Sequence, residues 1–142
     1  RGKKPFSSCA ELSALIEGYF PRIGGLHPAT LAFQALRIEV NDELNELHSL
    51  LSSIESAARA GEIQNCKVGI ISFHSLEDRI IKQYFKQWGK SCICPSENYK
   101  CECGNNHALG EILTKKPIIP SQQEIAQNRR SRSAKLRIFA IK

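Results

Sequence analysis

His74, Ser75 and Asp78 fall within one short stretch, Ile71-Ser72-Phe73-His74-Ser75-Leu76-Glu77-Asp78. The apolar run Val68-Gly69-Ile70-Ile71 ends in it, and Leu76, Ile80, Tyr84 and Trp88 then recur at four-residue steps. The first pattern is that of a buried strand, the second that of an amphipathic helix. The three side chains therefore sit at a strand-to-helix turn, at the strand's carboxyl end, where open α/β sheets bind ligands. An imidazole, a hydroxyl and a carboxylate there could shape a pocket and enter proton interactions with a substrate. The spacing also allows a plainer reading. Ser75 suits an N-cap, with Glu77 and Asp78 in the first turn favouring the helix dipole. His74 has no capping role on that reading and is the stronger candidate for substrate contact.

Three further groups carry chemistry. Cys92-x-Cys94 and Cys101-x-Cys103 put four thiols in twelve residues, with Pro95 and Gly104 for tight turns. Four thiolates could hold a tetrahedral zinc ion in a structural site; the alternative is a thiol-rich loop without metal. In Asn128-Arg129-Arg130-Ser131-Arg132-Ser133, three arginines within four positions offer fork geometry suited to phosphates. An exposed basic loop is the other reading. Arg37 and Asn41, with Gln34 and Asp42, interrupt an amphipathic stretch. Arg37 could reach a phosphate, or pair with Asn41 or Asp42 about one turn on.

The elements that must position these groups follow from periodicity and caps. Ser8-x-x-Glu11 is a capping box opening a helix through about Tyr19. Pro21 to Gly25 reads as a loop, and Pro28 suits the first position of a helix. From Phe33 to Ala58 one apolar stripe continues until Gly61, a length that predicts two helices meeting near Val40-Asn41-Asp42. Strands are expected near residues 67–73, 111–115 and 135–141. In the last, Leu136, Ile138 and Ala140 alternate with Arg137, Phe139 and Ile141. Ser121 and Glu124 cap a short helix between the second and third strands. Residues 89–110 form an irregular segment rich in Cys, Gly and Asn.

At 142 residues with a formal net charge of +6, the chain suits one ordinary core. The excess charge is local. Residues 111–142 hold eight Lys/Arg against Glu111 and Glu124, and the remainder is balanced. Such a basic segment suits phosphate contact. Cys9 and Cys66 stand alone and read as small apolar residues. No long apolar segment suggests a signal peptide or membrane span, and the chain opens on Arg1, so a soluble fragment or processed product in a reducing compartment is expected.

Three blocks in order resemble one family. They are His27-Pro28-Ala29-Thr30-Leu31-Ala32-Phe33-Gln34-Ala35-Leu36-Arg37 with its continuation to Leu44, Ile71 to Arg79, and Asn128 to Arg137. The chain is similar to the bacterial-type small-subunit ribosomal RNA cytosine-N4 methyltransferases, the RsmH/MraW family. The resemblance implies an α/β fold, the C-terminal half of a class I (Rossmann-like) methyltransferase sheet. Residues 1–60 would end an inserted all-α, RNA-recognition domain, and residues 61–142 would carry the fifth strand, a helix and the sixth and seventh strands, the seventh antiparallel. It implies methyl transfer from S-adenosyl-L-methionine to cytosine N4, with His74, Ser75 and Asp78 as catalytic candidates. Arg37, Asn41, Arg129, Arg130, Arg132 and Lys135 would bind RNA, and Arg130 stands where the family usually has Pro. The glycine-rich loop that holds the cofactor is missing, since no Gly-x-Gly-x-x-Gly follows a strand. Its site would lie in an N-terminal half. The implied partner is small-subunit ribosomal RNA, with neither membrane nor DNA, in a cytoplasm or an organelle matrix. A stand-alone RNA-binding or zinc-stabilised module is the rival reading.

Overall fold

The computed structural model describes residues 5–22, 24–25, 27–95 and 97–142. In chain order these form α1 (Cys9–Tyr19), α2 (Pro28–Asn41), α3 (Glu43–Arg59), β1 (Lys67–Ser72), α4 (Ser75–Trp88), β2 (Gly110–Ile112), α5 (Gln122–Gln127), a 3-10 turn (Arg129–Ser133) and β3 (Lys135–Ile141). Two compact units divide between Glu43 and Leu44, upstream of the expected boundary at residue 60. Within the second unit the apolar stripe of α3 (Leu47, Leu51, Ile54 and Ala58) packs on the core beside the sheet.

In the first unit, Ser8 caps α1 by accepting the Glu11 N–H at 3.3 Å, while the Glu11 carboxylate takes the N–H and hydroxyl of Ser7. Pro28 opens α2 as expected, and His27 caps it through Nδ1, which accepts the Ala29 N–H at 3.2 Å. Asp42, at φ 53°, ends α2 inside the stretch where two helices were expected to meet. That left-handed conformation breaks the i to i−4 ladder although the apolar stripe runs on. Of the expected loop from Pro21 to Gly25, Ile23 lies outside the described residues, as does the opening Arg1.

In the second unit the strands lie in the order β1-β3-β2, with β3 antiparallel to both neighbours. The antiparallel last strand agrees with the expectation, and its central position is what the structure adds. β1 ends at Ser72, one residue before the expected end. β2 is shorter than residues 111–115, because after Leu113 the Ile138 N–H is taken by the Thr114 hydroxyl at 2.8 Å and the backbone ladder stops. β2 can lie close to β3 because residue 110 is glycine: a Cβ there would fall 1.8 Å from the Ala140 carbonyl oxygen.

The core consists of Leu51 from α3, Ile81, Phe85 and Trp88 from α4, and Phe139 and Ile141 from β3. Burying each such side chain contributes roughly 1.5–3 kcal/mol. Phe85, Trp88 and Phe139 form a mutual aromatic triangle with centroids 5.4–5.5 Å apart. The Trp88 indole N–H donates to Glu55 at 3.0 Å, which satisfies the polar atom of a fully buried ring. β1 pairs only with β3, so its far edge has no strand partner among the described residues. Ile71 on that strand is 59% exposed, and Phe73 just beyond it is 54% exposed.

Candidate functional site

The junction between β1 and α4 is built on a cap different from the one expected. His74, not Ser75, is the N-cap: its Nδ1 accepts the Glu77 N–H at 3.4 Å, and the Glu77 carboxylate returns to the His74 N–H at 3.2 Å. Glu77 also accepts the Phe73 N–H at 2.8 Å. This is a capping box with histidine in the place usual for Ser or Thr. An imidazole Nδ1 reaches the third N–H much as an Asn or Asp oxygen does, which the preference for small polar caps conceals. The His74 side chain is 8% exposed, and its Nε2 lies 3.4 Å from Glu77. Ser75 is the first helical residue and is exposed. His74 thus has the capping role that the spacing did not assign to it.

Asp78 is engaged as well. Both its oxygens receive the Arg137 guanidinium, at 2.7 and 3.1 Å, and the Lys135 ammonium lies 3.9 Å away. Arg137 is 7% exposed, opposite Ile70 in the ladder. The bidentate Arg137 contact, helped by the positive charges of Arg137, Lys135 and Lys82, holds the Asp78 carboxyl below its usual range against the opposing effect of burial. The pair ties the first turn of α4 to β3.

The register of the sheet brings the junction and the basic segment together. Ser72 pairs with Lys135, so the 3-10 turn ending at Ser133 lies at the same end of the sheet as Phe73, His74 and Ser75. Asn128 shapes that turn by accepting the Arg130 N–H through its side chain and the Ser131 hydroxyl through its carbonyl. Arg129, Arg130 and Arg132 are exposed and form no ion pair among the described residues. Arg37 and Asn41 belong to the first unit, where both donate to Glu43, Arg37 at 2.8 and 3.1 Å and Asn41 at 3.3 Å. Arg37 therefore has Glu43 as an ion-pair partner.

The four clustered cysteines converge. Their sulfurs all lie within 4.8 Å of one another, and no disulfide joins them. Backbone N–H groups of Ile93 and Asn105 hold the Cys103 thiol down, to about 5. At Cys92 the Cys94 N–H acts in the same direction, but hydrogen bonding to the Cys101 and Cys103 sulfurs outweighs it and pushes that thiol up to about 12.

Glu77 and Arg137 are the participants that sequence reasoning left out. Each had a signal. His74-x-x-Glu77 has capping-box spacing, and Arg137 shares the alternating face of Phe139 and Ile141 that the sheet buries. The turn after β1 contains Phe73 and His74 instead of glycine, and the positive-φ glycines 24, 25, 61 and 104 follow no strand.

Comparison with known proteins adds a family. The family model described as the MraW methylase family matches residues 1–142. The chain is 76% identical over its whole length to the ribosomal RNA small subunit methyltransferase H of Helicobacter hepaticus, covering 45% of that protein. It is 60% identical over 136 residues to the protein of that name from Aliarcobacter butzleri, which takes in 96% of this chain and 44% of the relative. The Helicobacter pylori protein of the same name is 52% identical over 142 residues, again 44% of its length. The chain spans under half the length of these curated relatives.

Proposed function

Because the chain belongs to the MraW methylase family, we propose that it is the carboxyl-terminal part of an S-adenosyl-L-methionine-dependent methyltransferase acting on cytosine N4 of small-subunit ribosomal RNA. The observation that carries this reading is the shared sheet end, where the His74 junction and the exposed arginines 129, 130 and 132 meet. A base-handling pocket beside a phosphate-binding turn is what an RNA-modifying enzyme requires. On this reading β1, β2 and β3 are the fifth, sixth and seventh strands of a class I, Rossmann-like sheet. The open, apolar edge of β1 supports it, since an uncovered hydrophobic edge invites pairing with further strands. The helices of the first unit are the end of an inserted helical domain. The bacterial relatives support a cytoplasmic enzyme with ribosomal RNA as partner.

The residues present do not fit the methyl donor, because the one described strand-to-helix turn contains no glycine and its helix end is filled by His74 and Glu77. The donor is therefore assigned to the rest of the protein. What this part supplies is the acceptor side. The N4 lone pair of cytosine is delocalised into the ring, so the amine must be held in one orientation and its proton must meet an acceptor. Phe73, half exposed at the sheet end, offers an apolar face for an unstacked base, and Ser75 an exposed hydroxyl. His74 is oriented through its cap, and Asp78 holds α4 in place through Arg137.

The test separates capping from substrate contact in the complete protein. Replacing the cap by Ala should cost about 0.5–2 kcal/mol. His74→Asn keeps a cap acceptor while removing the imidazole. The expected result is that His74→Asn melts near the parent but methylates small subunits roughly 10²-fold more slowly, the scale of a positioned proton-interacting group. Parental turnover in that variant would reduce the junction to a helix start.

A further inference from the structure

We infer that Cys92, Cys94, Cys101 and Cys103 form a structural zinc site with four thiolate ligands, closing the segment between α4 and β2. This inference does not depend on the proposed activity. Zinc bound to four thiolates at ~2.3 Å requires sulfurs roughly 3.8 Å apart at the corners of a tetrahedron. The Cys101 and Cys103 sulfurs are 3.5 Å apart, those of Cys92 and Cys103 3.7 Å, and all four lie within 4.8 Å of one another. That spacing surrounds a single ion and is too tight to enclose an iron–sulfur cluster.

The backbone is arranged as such a site needs. Each Cys-x-Cys pair lends the N–H of its middle residue to a sulfur of the other pair. Ile93 donates to Cys103 and Glu102 to Cys94, both at 3.4 Å. N–H groups aimed at sulfur stabilise the thiolate, the ligating form. An outer layer fixes the turn after Cys103, where Gly104 and Asn105 adopt φ of 82° and 54°. The His107 ring Nε2 bonds the Cys103 carbonyl at 2.8 Å, the His107 N–H reaches the Ser91 carbonyl, and the Ser91 hydroxyl donates to Asn105 at 2.8 Å. His107 is thus a supporting residue and not a ligand.

The segment has little else to hold it. At its base the Leu109 N–H bonds the Trp88 carbonyl at 2.8 Å. Leu109 packs against the core, but beyond that base Ile93 is 62% exposed, Tyr99 is fully exposed, and among the described residues of 90–108 none belongs to the buried core. An irregular stretch of this length without an apolar core needs a staple, and metal binding supplies one.

The test uses the complete protein, purified under reducing conditions without chelator. Elemental analysis should find one zinc per chain, and native thiol titration should find these four cysteines protected until a chelator is added. Cys101→Ser combined with Cys103→Ser should remove the metal. That variant can lose its fold, so parental protein stripped of zinc and refilled with cobalt(II) gives the second readout. Intense tetrahedral d–d bands with thiolate charge transfer, displaced by one equivalent of zinc, are expected. A folded parental protein that holds no zinc and gives no cobalt spectrum overturns the site. So does zinc retained by the folded double variant, or iron in its place.

Discussion

At the scale of single residues, Asp78 is bound on both carboxylate oxygens by Arg137, which ties the start of α4 to β3. A first-turn acid is worth about 0.3–1 kcal/mol to its helix. Removing one partner from a buried ion pair costs about 3–5 kcal/mol, because the other charge is left without compensation. With Arg137 only 7% exposed, the second figure applies. Asp78→Ala should therefore destabilise the protein by about that amount in denaturant titrations, and a loss under 1 kcal/mol would show the pair to be dispensable. The same pair predicts a pH dependence. Arg137 lowers the folded carboxyl below its unfolded value, so the native state binds fewer protons. The stabilisation is complete above the unfolded value of about 3.9 and is lost as pH falls through the lowered native value. The stability gap between the parent and Asp78→Asn should accordingly stay constant from neutral pH to about pH 4 and narrow below it. A gap independent of pH down to acid unfolding would contradict this.

At the scale of elements, the 3-10 turn before β3 matters for what it displays. Its fold rests on Asn128 and Ser131, whose bonds leave Arg129, Arg130 and Arg132 projecting into solvent. Replacing the three arginines by Ala should leave the melting temperature nearly unchanged, since surface charges outside ion pairs contribute little to stability. RNA binding should weaken, and the slope of log affinity against log salt should fall by about one for each phosphate that is no longer neutralised. An unchanged slope in a folded variant would make the turn a solvated surface. Lys135 is expected to contribute less than these three, because its ammonium already faces Asp78 at 3.9 Å.

At the scale of the whole molecule, the β1 edge predicts how residues 1–142 behave in solution by themselves. A Val- and Ile-rich strand with an unpaired edge, ending in exposed Ile71 and followed by exposed Phe73, is a surface for strand addition. Residues 1–142 expressed alone should self-associate in sedimentation velocity experiments, and Ile71→Lys should shift the distribution toward monomer. A monodisperse monomer at all concentrations would mean the edge is protected without further strands. No described helix is long and apolar enough to cross a membrane.

The sequence by itself determined the parts of this protein that depend on neighbours along the chain. Apolar spacing marked the helices and strands, proline and a capping box marked helix starts, and three motifs pointed to the family. It also marked Val40-Asn41-Asp42 as the place where one long apolar stripe changes helix. It misassigned the cap at the β1–α4 junction, because capping preferences rank small polar residues and His74 caps through a ring nitrogen. What only the tertiary structure decided depends on residues distant in sequence. The pairing of Ser72 with Lys135 carries the arginine turn to the His74 end of the sheet. The bond between Asp78 and Arg137, fifty-nine positions apart, ties the start of α4 to the central strand. Strand register is set by which apolar faces bury one another across the whole sheet, and no local pattern contains that information.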